Sequence, residues 1–279
     1  MKLLPLIEAL TLSSMLVCVG RSQTIVPGSS PLSTPAGYRW KPVPEVSDEF
    51  EGARLDASKW LPYQPYWQGR PPSRFSTNNV LVRDGHLELR STGLVTNLSQ
   101  VKDPEKDIWV EAACVASTKP IAGYGYYAAR VKASRLPMTS SFWFQGKYSE
   151  IDVVEQVGAS QKNPGESHQM LMNTHFFQGG WEKDEATPMK WTMPTGAADE
   201  FHVYGVWWKD KDTVWFYHDG EKVAEVRTAG EFLEPMYLFF DTEVFTREGL
   251  PTVESLNNPD QNTMQVDWVR GWRLVKGSE

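Results

Sequence analysis

Three carboxylates crowd into six residues of the segment Glu150–Glu155, EIDVVE, separated only by Ile151, Val153 and Val154. Acids this dense among apolar neighbours suit proton transfer and carboxylate attack, or cation binding. A helix serves neither. At about 100° per residue Glu150 and Glu155 point well apart, and three β-branched residues lower helix propensity. A strand puts Glu150, Asp152 and Val154 on one face and Glu155 on the other. One extra residue between Asp152 and Glu155, a β-bulge, returns Glu155 to the face of Glu150. The competing reading is a solvated acidic edge strand. The apolar residues between the acids and the aromatic approach, SSFWF at 140–144, argue against it.

Two glutamates flanking an aspartate suit cleavage of a glycosidic bond. One carboxylate attacks the anomeric carbon and the other protonates the leaving oxygen, with the pair ~5–5.5 Å apart for retention and ~6.5–9.5 Å for inversion. A fully extended strand, rising ~3.3 Å per residue, leaves the two Cα atoms too far apart for spacing alone to decide the stereochemistry. Three adjacent acids cannot all ionise cheaply, so at least one is pushed up, which is what a general acid needs near neutral pH. Asp152, lying between, is placed to share a proton with Glu150. The five histidines, 86, 168, 175, 202 and 218, are scattered without ligand spacing, and hydrolysis of this kind calls for no catalytic metal.

The elements that must position these acids are short and extended. NVLVRDGHLELRS at 79–91 alternates apolar and polar residues around an Asp84-Gly85 turn, and Asp219-Gly220 marks a second tight hairpin. Eight or more further short β patterns run from Ile108 to Val275, no helical period lasts beyond a turn or two, and no repeat is evident. The fold class expected is all-β: a jelly-roll sandwich of two antiparallel sheets whose concave outer face carries a substrate cleft. The 279 residues, with 12 Trp and 41% hydrophobic content, suit one sizeable domain. Aromatic residues interleaved with polar ones are the composition of a sugar-binding cleft, although core packing must account for at least half of them.

Residues 1–22 read as an export signal, with Lys2, an apolar run and small residues at Gly20 and Ser22, so a secreted or periplasmic location is expected. Cys18 allows a lipoprotein anchor as the alternative and the only route to a membrane. Residues 23–46 read as a Pro/Ser-rich lead-in, and 47–276 as the catalytic domain. Cys114 is then the lone mature cysteine, which excludes an intramolecular disulfide. The net charge of -7 argues against nucleic acid or an anionic membrane as a partner. A monomer is expected.

EIDVVE resembles the catalytic signature of glycoside hydrolase family 16, in the form with one extra residue before the last Glu. SDEFEG at 47–52, NVLVRDGHLELRS at 79–91, GYYAARVKAS at 125–134, FHVYGVWWK at 201–209 and DWVRGWRLV at 267–275 extend the similarity over most of residues 46–276. The resemblance implies a jelly roll of retaining endo-β-glycanases, with Glu150 as nucleophile, Glu155 as acid/base and Asp152 as the assisting carboxylate.

SSFWFQGKYSEIDVVEQVG at 140–158 and NTHFF at 173–177 look like the branch acting on red-algal galactans, the porphyranases and agarases. Trp67-Gln68-Gly69-Arg70, followed by Pro72 and Phe75, is similar to the porphyranase loop whose Trp and Arg contact a sulfated sugar. The implied substrate is therefore an agar-type galactan cut at β-1,4-galactosidic bonds, porphyran ahead of neutral agarose. Trp67, Arg70, Arg74, Trp143, Gln145, His175 and Glu243 are the expected contacts. One departure stands out: porphyranases tend to carry a second Arg two residues after the cleft Trp, where this chain has Gln145, which cannot match a sulfate's charge. A non-catalytic galactan-binding jelly roll is the reading from another class, and the full set of acids argues against it. The resemblance also implies one structural calcium, with the Asp267 side chain and the carbonyls of Asp48 and Gly85 as ligands.

Overall fold

A computed structural model of the chain describes residues 32–277. The proposed export signal and Cys18 lie outside the described residues. Two eight-stranded sheets stack face to face. The inner sheet runs, in spatial order, through Glu185–Ala186, Gln169–Phe176, Ser149–Val157, Thr139–Gln145, Tyr237–Asp241, Cys114–Ser117 and Trp60–Leu61, with Met189–Thr192 also pairing Gln169–Phe176. The outer sheet runs through Glu221–Arg227, Thr213–His218, His202–Trp208, Gly125–Lys132, Thr263–Lys276, His86–Arg90 and Val80–Arg83. All pairs within both sheets are antiparallel. A third, three-stranded sheet adds a parallel pair, Ser73–Phe75 with Val110–Ala112, that the sequence pattern did not foretell.

Alternation explains the layering. Along the inner sheet Phe142, Phe144, Ile151, Val154, Met172, Leu238 and Phe240 face the outer sheet and are buried with Leu87, Val131, Tyr204, Val206 and Phe216 in one core. Their intervening neighbours must therefore point to the opposite, concave surface. Both hairpins form as expected: Asp84 and Gly85 take φ of 53° and 77°, Asp219 and Gly220 48° and 85°, the left-handed pairs that a two-residue turn requires. Among the described residues, the only α-helices are four residues long.

The lead-in is corrected. Tyr38–Pro42 is a strand paired along Trp272–Lys276, Trp40 packs edge-on against Tyr126 and Trp207, and Val43 and Val46 are buried in the main core. The Pro/Ser count of 23–46 concealed the alternation of Tyr38 and Trp40, so the domain starts ahead of residue 47.

Candidate active site

The catalytic strand is bulged where the acids require it. Between Thr139–Gln145 and Ser149–Val157, Phe142 pairs with Val154 but Trp143 pairs with Asp152, leaving Val153 as the extra residue. The face is thereby restored: Ser141 lies opposite Glu155, Trp143 opposite Asp152 and Gln145 opposite Glu150. On the other side Asp152 pairs with Asn173 and Glu150 with His175. Ser141 and Trp143 also face Asp241 and Phe239. One concave surface therefore gathers all three acids, and they line a cleft of about 680 Å³.

Trp67, Arg70, Trp143, Gln145, His175 and Glu243 line that same cleft. Trp143 also stacks on Phe239, with ring centroids 4.4 Å apart, so it is both floor and packing. The Trp67–Arg70 loop reaches the rim through Gly69, whose φ of 105° suits glycine and whose Cβ would lie 3.1 Å from the backbone of Arg74 and Phe75. Arg74 is corrected. It follows buried Ser73 on a strand, so its side chain points out to pair with Glu111 at 3.0 Å, away from the cleft.

Several cleft residues escaped the sequence reading. Asp241, Phe245 and Arg247 flank Glu243 on one segment, and Tyr66 and Trp181, both more than half exposed, stand at the mouth. Asn173 sat inside a quoted motif without being singled out. Arg247 matters most: the Arg70 and Arg247 guanidinium carbons lie 5.0 and 4.1 Å from the Phe245 ring centroid. The cleft has its second arginine after all, supplied by a different segment from the one the family pattern suggests.

The charges are ordered by burial and by donors. Burial, then the charge of Asp152, holds Glu150 well above the ordinary carboxyl range. Burial, then Asp152 and Glu243, pushes Glu155 to about 8. Asp152 is raised by burial and pulled back by His175. Burial alone would lower His175, but its hydrogen bond to Asp152 and the pairing with Asp184 lift it to about 10. The His175 ring has Asp184 2.7 Å from Nδ1, and Asn173 Nδ2 at 2.8 Å, Asp152 at 3.3 Å and Glu150 at 3.9 Å from Nε2. Gln145 Nε2 donates to Glu150 Oε2 at 2.7 Å. Donors thus converge on Glu150 and Asp152 and offset part of what burial adds there, while Glu155, pushed to about 8, carries a proton near neutral pH.

Residues 40–274 match the family described as "Beta-porphyranase A-D, GH16 domain". The chain belongs to this family. It is 34% identical to β-porphyranase B of Phocaeicola plebeius over 86% of this chain and 87% of that protein, and 34% identical to β-porphyranase E of Zobellia galactanivorans over 86% and 90%. Among solved structures, the β-porphyranase of the gut bacterium Bacteroides plebeius superposes with a TM-score of 0.78 at 33% identity, covering 88% of this chain and 96% of that one. As a GH16 porphyranase-family domain the chain is a glycoside hydrolase with the jelly-roll fold.

The calcium ligand set does not fit a cation in this member of the family. Asp267 Oδ2 accepts a hydrogen bond from Arg130 Nη1 at 2.6 Å, Oδ1 faces His86 Nε2 at 3.7 Å, and the Asp48 carbonyl accepts from the Val269 amide at 2.9 Å. A guanidinium, itself seated on the Phe201 ring, already supplies the positive charge there.

Proposed function

We propose that the chain is an endo-acting, retaining β-porphyranase that cuts β-1,4-galactosidic bonds next to a sulfated sugar. The single observation that carries the substrate is the pair of arginines, Arg70 and Arg247, flanking Phe245 on the wall of the cleft that holds the acids. Planar guanidiniums match the oxygen geometry of a sulfate ester, and Trp67, Tyr66 and Trp181 offer ring faces to pyranose C–H surfaces.

Glu150, whose ionised form Gln145 and His175 favour against burial and the Asp152 charge, attacks the anomeric carbon as the carboxylate. The C–O bond to the leaving sugar breaks as Glu155 gives its proton to that oxygen. Water then attacks the glycosyl ester, Glu155 takes the water's proton, and Glu150 leaves as carboxylate. Asp152 hydrogen-bonds Glu150 and shares a proton with it between the two steps. An open cleft suits an internal bond of a chain, and export to meet a polysaccharide agrees with the proposed signal at 1–22.

A second reading, action on neutral agarose, draws on one observation: Arg70 Nε is bonded to Glu243 Oε2 at 2.7 Å, which offsets part of its charge. Arg70→Ala and Arg247→Ala decide between them. Each should lower kcat/KM on porphyran by about 10- to 100-fold, the range for a lost charge-assisted hydrogen bond, and on agarose by less than about threefold. Equal, small effects on both polymers, with agarose cleaved the faster, would establish the agarase reading instead.

A further inference from the structure

His202 and His218 stand sixteen positions apart, yet the hairpin joins them. Tyr204 pairs with His218 across adjacent strands of the outer sheet, and His202, two residues before Tyr204, shares its face. The two imidazole centroids lie 4.8 Å apart. Asp219, first residue of the turn that follows, completes the group. Its amide donates to the Val203 carbonyl at 2.8 Å and its Oδ1 accepts from the Val203 amide at 2.7 Å, so the carboxylate is clamped to the neighbouring strand. Oδ2 is left between the rings, 3.0 Å from His202 Nδ1 and 3.4 Å from His218 Nδ1.

Those separations are those of ligands around an ion. Bonds of ~2.0–2.2 Å in a tetrahedral zinc site put neighbouring ligand atoms about 3.3–3.5 Å apart, and the three atoms here all lie within 4.8 Å of one another. The outer nitrogen of His202 contacts Thr195 Oγ1 at 3.2 Å, the arrangement that fixes the tautomer and aims the inner nitrogen of a ligating histidine. Both rings are nearly inaccessible, at 2% and 3% exposure, whereas Asp219 reaches the surface and leaves a side open for entry and for a water ligand. His218 Nε2 has no hydrogen-bond partner, so Asp219 is the polar group that holds that ring. Two imidazole nitrogens and one carboxylate oxygen form a borderline donor set, suited to zinc and poor for calcium.

We infer that His202, His218 and Asp219 bind one divalent transition-metal ion of the zinc class, which ties the Thr213–Arg227 hairpin to the strand beside it. The cleft trio Glu150, Asp152 and His175 also brings donor atoms together, but His175 engages Asp184 and Asp152 through its two nitrogens. The ion is structural, on the sheet opposite the cleft, and hydrolysis does not depend on it.

The test uses the full chain, stripped with chelator and exchanged into metal-free buffer. Zinc titrated calorimetrically should bind one per chain at micromolar or tighter Kd, cobalt(II) should give visible d–d absorption, and calcium should do neither. Zinc at 100 times Kd should raise Tm by roughly 5 °C. His218→Val and Asp219→Asn should each weaken zinc at least 100-fold, and Thr195→Val about 10- to 100-fold, all with unchanged hydrolysis rates. Should His218→Val fail to fold, Asp219→Asn at the surface turn carries the test. No saturable binding would overturn the inference and leave the trio a hydrogen-bond clamp. Zinc that still binds both variants and blocks hydrolysis would also overturn it, placing the ion on the cleft acids.

Discussion

Two walls of one cleft are built on opposite principles. The acid wall lies on adjacent strands, where Glu150, Asp152, Glu155 and His175 are fixed by ladder register and a single bulge, and where burial raises every carboxyl. The basic wall lies on loops, where Arg70 and Arg247 come from segments 177 positions apart and keep more than half their side-chain surface exposed. The chemistry needs fixed distances and shifted proton affinities, which a packed sheet supplies. Choosing among galactans needs a replaceable charge at the rim, which loops tolerate. Changes on the acid wall should therefore lower activity on every galactan alike, and changes on the basic wall should sort substrates.

The largest effect tests the acid wall. Glu150→Gln and Glu155→Gln should each lower kcat by at least about 10³-fold on sulfated and neutral galactan alike, measured by reducing-end release. Thermal melts separate lost chemistry from lost folding. Below about pH 4.5 the Glu155 carboxyl is protonated in the folded and unfolded chains. Between there and about 8 the unfolded chain ionises first, so this group subtracts stability as pH rises. Glutamine cannot ionise, so Glu155→Gln should melt at a higher temperature than the wild type at pH 8 and gain little at pH 4.5. A variant destabilised at both pH values would mean that Glu155 is structural.

The same contrast governs what could be read in advance. The acid wall was legible because its spacing is local: EIDVVE needs one extra residue to present its acids together, and Val153 is that residue. Periodicity of two likewise gave both hairpins and the sandwich. The basic wall was half legible. Arg70 sat in a recognisable loop, while Arg247 meets it only through the fold, and Arg74 looked equivalent until strand alternation turned it outward. His202 and His218 looked scattered for the same reason, since cross-strand pairing leaves no mark in linear spacing. Tyr38–Pro42 was hidden by composition, because its neighbours are prolines and serines although its own residues alternate.

A smaller effect probes how the acid wall stays charged. The His175 cation, lifted to about 10, faces Asp152 and Glu150, so it lowers what burial has raised. The wild-type rate should fall as pH rises through about 8, where Glu155 loses the proton it must donate. His175→Gln removes the cation, Glu150 then ionises only at higher pH, and the acidic limb of kcat/KM should move up. The loss should be about 10- to 100-fold at pH 6 and smaller at pH 7.5. A uniform loss with an unmoved profile would instead make His175 a sugar contact.

The smallest effect tests the boundary between the walls. Arg74 carries the same charge as Arg70 four residues away, and long-range steering of a polyanion would make the two arginines alike. At 0.15 M salt, however, screening acts within ~8 Å, and Arg74 is paired with Glu111 on a surface facing away from the substrate. Arg74→Ala should therefore change kcat/KM on porphyran by less than about twofold, and stability by no more than ~0.5 kcal/mol, as for exposed ion pairs. A loss as large as that of Arg70→Ala, fading as salt is raised, would show that the whole basic edge attracts the polymer and that contact within the cleft is the lesser part of the preference.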